Sequence, residues 1–349
     1  MTQAFTINGK LIGKGAPTYV VAEISANHNR DFAKATRLVY TAKEAGADAV
    51  KVQTYTADTI TLDSDGPLFR IKGSLWDGTT LHKLYTEAAM PWEWQTGLKA
   101  LADDLGLDFF SSPFDPSAVD FLEEIDVPAY KVASCELVDI PLIRKIARTG
   151  KPIILSTGMA LLGEIEEALG AVSETSSSAA ALLKCTTAYP APVREANLVT
   201  IPHMSSTFGV PVGLSDHTMG NVVPIAAVSL GACIVEKHFT LTRSAPGPDS
   251  SFSMEPDEFK RMVADIRAAE TALGTVSYRP TNKEVDNRRY RRSLFAVRNI
   301  RAGEAFGADN TRSIRPGHGL HTRHLEEILG RKARVDIQRG TPLSWGLID

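Results

Sequence analysis

Cysteine is scarce in this sequence. It has 3 in 349 residues: Cys135, Cys185 and Cys233, each in or beside a hydrophobic run and none in a C-x-x-C pair. Three thiols cannot all pair, so a reducing compartment with buried thiols is expected rather than a disulfide framework. Long hydrophobic runs are missing too. The longest, Val222 to Val235, is interrupted by Pro224, Ser229 and Gly231 and is short for a bilayer span. The opening MTQAFTINGK lacks the apolar core of a secretory leader. A cytoplasmic protein with no membrane partner is expected. Charge of one sign is not in excess: 38 Lys plus Arg stand against 41 Asp plus Glu, a net of −3. That argues against general nucleic-acid binding, which favours a strongly basic domain. There is no G-x-G-x-x-G and no internal repeat. The only low-complexity stretch, Ser173 to Ala181, reads as an exposed loop between a helix and a strand.

The composition is that of a globular chain, with 43% hydrophobic and 23% charged residues. Short apolar runs alternate with helical patterns. They are Tyr19 to Ala22, Ala49 to Gln53, Leu107 to Ser111, Ala129 to Ala133, Pro152 to Ser156, Ala181 to Cys185, Val210 to Leu214 and Ala232 to Glu236. Regular alternation implies parallel strands joined by helical crossovers. Eight such units match an α/β fold of the (β/α)8 TIM-barrel type over residues 1–280, with a doubly wound open sheet as the competitor. Beyond Tyr278 the sequence turns polar. Residues 281–292 read as a linker, and 293–349 as a small β-rich domain. From 281 onward 14 Lys plus Arg face 8 Asp plus Glu, a net of +6, which leaves −9 on the rest. The run RRYRRS (288–293) reads as a solvated strip or one that docks on an acidic surface.

Polar residues collect at the ends of nearly every strand candidate: Glu23, Lys51 and Gln53, Ser111 and Ser112, Lys131 and Ser134, Ser156 and Thr157, Lys184 and Thr187, Ser215 and His217, Glu236 and His238. In a barrel these ends converge on one mouth, where active sites form. His217 and His238 end neighbouring strands. They suit a divalent ion with oxygen co-ligands, and equally two loop hydrogen bonds. Lys51 and Lys131 are costly to bury alone. A phosphate or carboxylate, held also by Ser112, Ser134 and Ser156, would satisfy them. So would internal salt bridges such as Lys131 with Glu136, and a Schiff-base lysine is a third reading. Glu23 is a candidate metal neighbour or general base, or else a helix cap. The loop GPDSSFSMEP (247–256) reads by default as a connection.

Taken together, EISANHN (23–29), KVQTY (51–55), FSSPFD (110–115), YKVAS (130–134), STGMA (156–160), KCTTAYPAP (184–192), GLSDHT (213–218), EKHFTL (236–241) and GPD (247–249) resemble the sialic-acid synthase family. These enzymes condense phosphoenolpyruvate with an acylated amino sugar. The tail RRSLFAVRNIRAGE and IRPGHGL resembles the family's C-terminal SAF, or antifreeze-like, domain. Within the family, Lys184, GSLWDGTTLHKLY (73–85) and GPDSSFSMEP are most similar to the pseudaminate branch, whose acceptor is 2,4-diacetamido-2,4,6-trideoxy-L-altrose. Legionaminic and N-acetylneuraminic acid synthases are the alternatives. The resemblance implies that His217 and His238 bind a divalent metal, manganese first, with magnesium or cobalt as alternatives, and that Glu23 lies near the reacting carbons. It implies phosphoenolpyruvate contacts at Lys51, Ser112, Lys131, Ser134, Ser156 and Ser215, with Thr187 a further contact. It places Gln53, Tyr189 and Asp249 on the sugar side. It also implies a domain-swapped homodimer in which Arg315 of one subunit serves the mouth of the other.

Overall fold

The structure is a computed structural model that describes residues 4–349 except Ser74, Ser176 and Ser177. The first three residues of the opening segment, one serine of GSLWDGTTLHKLY and two of the Ser/Ala-rich stretch therefore lie outside the described residues. The chain divides into two compact units, one ending at Gly274 and the other beginning at Thr275.

The first unit opens with a hairpin that the apolar periodicity alone does not reveal, β1 (Phe5–Ile7) and β2 (Lys10–Ile12). Its turn is Asn8-Gly9, both with positive φ, the two-residue pair that matches the twist of a hairpin. Eight parallel strands follow: β3 (Tyr19–Glu23), β4 (Ala49–Thr54), β5 (Asp108–Pro113), β6 (Tyr130–Val132), β7 (Ile153–Ser156), β8 (Ala180–Cys185), β9 (Val212–Asp216) and β10 (Ile234–His238). Each pairs with the next, and β10 pairs back onto β3 to close the barrel. All eight expected strands are present, within two residues at their starts. Local chemistry sets the helix starts. Asp31 accepts a bond from the Lys34 amide at 3.2 Å ahead of the helix Phe32–Glu44. Asp115 does the same for the Ser117 amide at 2.8 Å, with Pro116 in the first turn.

The two-residue period of each strand sorts the side chains. Val20, Ala22, Val50, Val52, Phe109 and Val235 point outward and pack against helix residues such as Leu38, Leu98 and Ile143. Val21, Ala49, Phe110, Ile154, Ala181, Leu183 and Ile234 fill the interior, joined by Ile7 and Ile12 of the hairpin. The hairpin therefore plugs the end of the barrel where the strands begin. Asn8 donates to Asp108 at 3.0 Å and Tyr19 to the same carboxylate at 2.6 Å, which satisfies a buried charge beneath the plug. Continued toward the strand ends, the same alternation turns Glu23, Lys51, Gln53, Ser112, Lys131, Ser156, Ser215, Glu236 and His238 inward.

The second unit holds β11 (Ser293–Ala296) and β12 (Thr311–Ile314), paired antiparallel, over a core of Leu294, Ile300, Phe306, Ile328, Ile337, Leu343 and Ile348. The stretch 333–337 joins this core through isolated bridges, Ile300 to Ile337 and Ala333 to Ile348, rather than as a regular strand. Residues 281–292, expected as a linker, carry a short helix, Asn282–Asn287. Its start is a capping box in which Thr281 and Glu284 satisfy each other's amides. No helix among the described residues is long and apolar enough to cross a membrane.

The plug makes a direct stability prediction. Ile12 is 1% exposed, so Ile12→Ala should cost about 2–5 kcal/mol of unfolding free energy, read from urea midpoints. A loss below about 1 kcal/mol would show that the hairpin does not fill the barrel end.

Candidate functional site

At the strand ends lies a cavity of about 600 Å³. Its floor is ionic. Lys51, 3% exposed, stands 2.8 Å from Glu23 and 3.4 Å from Glu236 and donates to Ser112 at 3.3 Å. Burial works against its ammonium, but the two carboxylates outweigh that and raise its pKa. Glu23 also accepts from Gln53 at 2.9 Å. Burial raises the Glu23 pKa even though Lys51 opposes the shift. Glu236 accepts from Ser215 at 3.5 Å, and its Oε2 is buried without a hydrogen-bond partner among the described residues. The internal salt-bridge reading therefore holds for Lys51. It does not hold for Lys131, which makes no ion pair with Glu136. Lys131 donates instead to Ser156 at 2.6 Å and to the Val132 carbonyl at 2.9 Å, and burial lowers its pKa.

One edge of the floor is built from hydroxyls. Ser134 accepts from the Gly158 amide at 3.1 Å, and Ser134, Ser156, Thr187 and Ser215 all line the cavity. Gly158 has no room for a side chain. A Cβ there would sit 2.7 Å from the Ser134 hydroxyl oxygen and collide with that of Thr187. The lysine ammonium and these hydroxyls form an anion-holding edge with no carboxylate directly on Lys131.

His217 and His238 face the same cavity with ring centroids 5.3 Å apart. Nδ1 of His217 lies 2.9 Å from the Thr186 carbonyl and donates to it; burial opposes the charged ring, but the Cys185 thiol and the Thr186 carbonyl outweigh that and raise its pKa. Nδ1 of His238 is buried with no partner among the described residues. Burial, aided by His217, holds the His238 ring well below the usual imidazole pKa, and hence neutral. Two adjacent imidazoles, one of them with an orphaned ring nitrogen, fit a divalent ion. No group of three or more His, Cys, Asp or Glu among the described residues is arranged to hold one, so the remaining ligands would come from substrate and water. Cys185, also on the wall, lies 3.9 Å from Nδ1 of His217.

The opposite wall is apolar and comes from the long segment between β4 and the helix Trp92–Asp104. Ile60, Ile71, Leu81, Leu84 and Tyr85 line it. Trp76 closes over the side, donating to the Pro248 carbonyl at 3.0 Å and meeting Tyr189 at 5.9 Å between centroids. Tyr189 stacks in turn on His217 at 4.4 Å. Asp249 reaches the cavity from the 247–256 loop, which is more than a connection. Its carboxylate accepts from the Ser25 hydroxyl and, at 3.4 Å, from the Ala26 amide.

The barrel thus brings together Glu23, Lys51, Gln53, Lys131, Ser134, Ser156, Thr187, Tyr189, Ser215, His217, His238 and Asp249. Ser112 lies behind Lys51 rather than on the wall. Arg315 belongs to the second unit, exposed just after β12. Asp216, next to His217 in GLSDHT, points to the outer face of the barrel, where it pairs with buried Lys237 and accepts from the Thr218 amide at 3.0 Å. Lys184 also points outward, its ammonium on the Cys185 carbonyl at 2.8 Å. Glu23 caps no helix; Asp31 does that. Two carboxylates were missed as site residues. Glu236 is two positions before His238 and so shares its face, a signal the period of two carries. Glu136 lines the cavity with an Oε2 that has no hydrogen-bond partner among the described residues, and burial pushes its carboxyl up to about 7.

Comparison with known proteins agrees with this geometry. The NeuB family profile matches residues 38–278 and the SAF domain profile residues 291–349. A pseudaminic acid synthase of Helicobacter pylori is 45% identical over 329 residues, 94% of this chain and 97% of that one. An N,N'-diacetyllegionaminic acid synthase of Legionella pneumophila is 37% identical over 98% of each chain. The crystal structure of an N-acetylneuraminic acid synthetase from Leptospira borgpetersenii is similar with a TM-score of 0.74 and 31% identity, covering 82% of this chain and 95% of that one.

The crowding at Gly158 gives a test of the anion edge. Gly158→Ala should displace Ser134 and Thr187 and weaken binding of inorganic phosphate by about tenfold, measured by calorimetry, the scale of one hydrogen bond to a charged group. Unchanged binding would remove these hydroxyls from the edge.

Proposed function

The chain belongs to the NeuB family and carries a SAF domain, and from that premise we propose that it condenses phosphoenolpyruvate with 2,4-diacetamido-2,4,6-trideoxy-L-altrose to give pseudaminic acid and phosphate. It is an enzyme of the synthase type. The carrying observation is that one cavity holds both the anion edge of Lys131, Ser134 and Ser156 and, across the floor, the buried carboxylate of Glu23. The branch rests on identity, which is 43–45% to three pseudaminic acid synthases and 37–38% to two legionaminic acid synthases. The apolar wall of Ile71, Leu81 and Leu84 supports an acceptor with methyl groups, as a 6-deoxy diacetamido sugar has.

In this reading Lys131 and the serine hydroxyls neutralise and orient phosphoenolpyruvate, with Lys51 completing the charge. Carbon 3 of phosphoenolpyruvate bonds to the sugar aldehyde carbon, and the aldehyde oxygen takes up a proton. Positive charge develops at carbon 2, where water adds. Glu23, held by Gln53 and Lys51, orients that water and accepts its proton. The new hydroxyl on carbon 2 then gives up its proton and becomes the ketone as the bond between carbon 2 and the bridging oxygen breaks, and phosphate leaves with that oxygen and that proton. His217 and His238 would hold a divalent ion, manganese first, which when bound supplies Lewis-acid polarisation of the aldehyde. A homodimer in which Arg315 serves the partner subunit's barrel belongs to the same reading. The +6 of residues 281–349 against −9 elsewhere supports it. A cytoplasmic site of action is also part of this reading, and three free cysteines support it.

Phosphate release should be tested with manganese, offering the altrose sugar and N-acetylmannosamine side by side, before and after chelation. Chelator-sensitive release with the altrose sugar alone is expected. Release with N-acetylmannosamine instead would move the chain to the sialate branch, and release with neither would overturn the reading. Glu23→Gln should lower kcat by about 100-fold or more while leaving the KM for phosphoenolpyruvate nearly unchanged. Near-normal turnover would remove Glu23 from the chemistry.

A further inference from the structure

Ser25 stands two residues past the end of β3 with φ of +46°. That region is costly for a residue with a Cβ, and glycine would occupy it freely. The Ser25 hydroxyl turns away from its own 3-10 turn, Ser25–His28, and bonds to Gln53 and Asp249 instead. It lines the cavity although it is 5% exposed. Its hydroxyl accepts from Gln53 Nε2 at 3.2 Å and donates to the Asp249 carboxylate. The same Gln53 nitrogen donates to Glu23 at 2.9 Å. Hydrogen bonds therefore run without a gap from Lys51 and Glu23, through Gln53 and Ser25, to Asp249, which belongs to a loop more than 200 positions later. Asp249 has one other support for its carboxylate, the Ala26 amide at 3.4 Å. A strained non-glycine residue whose hydroxyl serves two groups across a cavity is explained by what that hydroxyl holds.

We infer that Ser25 is a positioning residue for the acceptor sugar: its hydroxyl fixes the carboxylate of Asp249 relative to Glu23, so that the sugar is seated against the reacting carbons. The inference rests on the proposed synthase reading, with Asp249 on the sugar side. It assigns no chemical step to Ser25, and it separates the acceptor side of the cavity from the anion edge, which Ser25 does not touch.

The test compares Ser25→Gly with Ser25→Ala in steady-state phosphate release by the full chain, varying each substrate in turn. Both variants lack the hydroxyl. Glycine relaxes the backbone and folds readily at this φ, whereas alanine keeps the strain. Both should raise the KM for the acceptor at least tenfold and leave the KM for phosphoenolpyruvate within twofold. An unchanged acceptor KM in Ser25→Gly, with or without an effect in Ser25→Ala, would overturn the inference, because the effect would then follow the backbone or nothing. An equal rise in both KM values would also overturn it, as general damage to the site. No phosphate release by the unmodified enzyme with any acylated amino sugar would instead overturn the synthase reading, and the inference with it.

Discussion

The ammonium of Lys51 between the carboxylates of Glu23 and Glu236 is the interaction on which the site depends. It lies at the seam where the barrel closes, since β10, β3 and β4 are neighbours and Glu23 is in register with both His238 and Lys51. Three ionised groups buried together gain little net stability, because desolvation consumes most of the Coulombic attraction. Removing the central cation would leave two carboxylates facing each other out of water. The cluster therefore fixes positions. Glu236 holds Ser215, Glu23 holds Gln53, and through Gln53 the constraint reaches Ser25 and Asp249.

The two sides of the cavity have different origins. Charged and hydroxyl groups come mostly from strand ends, whose directions the closed sheet sets. The apolar side comes from the segment between β4 and the helix Trp92–Asp104, pinned by Trp76 to Pro248. Rigid elements carry the ionic floor, and the longer connection carries the apolar wall.

Much of this was legible in the sequence because a parallel barrel has a simple grammar. Apolar runs of four to six residues mark strands, and a polar residue ending each run marks the mouth. Twelve of the fourteen expected site residues line the cavity, ten of them at or just past strand ends, while Tyr189 and Asp249 were expected only from the family resemblance. Where the reading fell short, it had used proximity along the chain in place of side-chain direction. Asp216 adjoins His217 but alternates to the outer face, where Lys237 meets it. Glu236 was named only as a strand-end residue, though it shares an inward face with His238. Ser112 points inward but is covered by Lys51. The hairpin was signalled by Asn8-Gly9 between Ile7 and Lys10, a local turn signature that apolar periodicity does not register. The helix in the expected linker was likewise signalled by Thr281 and Glu284. Ser25 could not have been found from sequence, since a positive φ at a serine has no composition or spacing signature.

The hairpin also bears on how the protein is handled. It seals the end of the barrel opposite the cavity, and Phe5 lies at that sealed end. An affinity handle or surface attachment placed there lies a full strand length from the mouth. Immobilised through the hairpin, the barrel holds its mouth on the side away from the attachment.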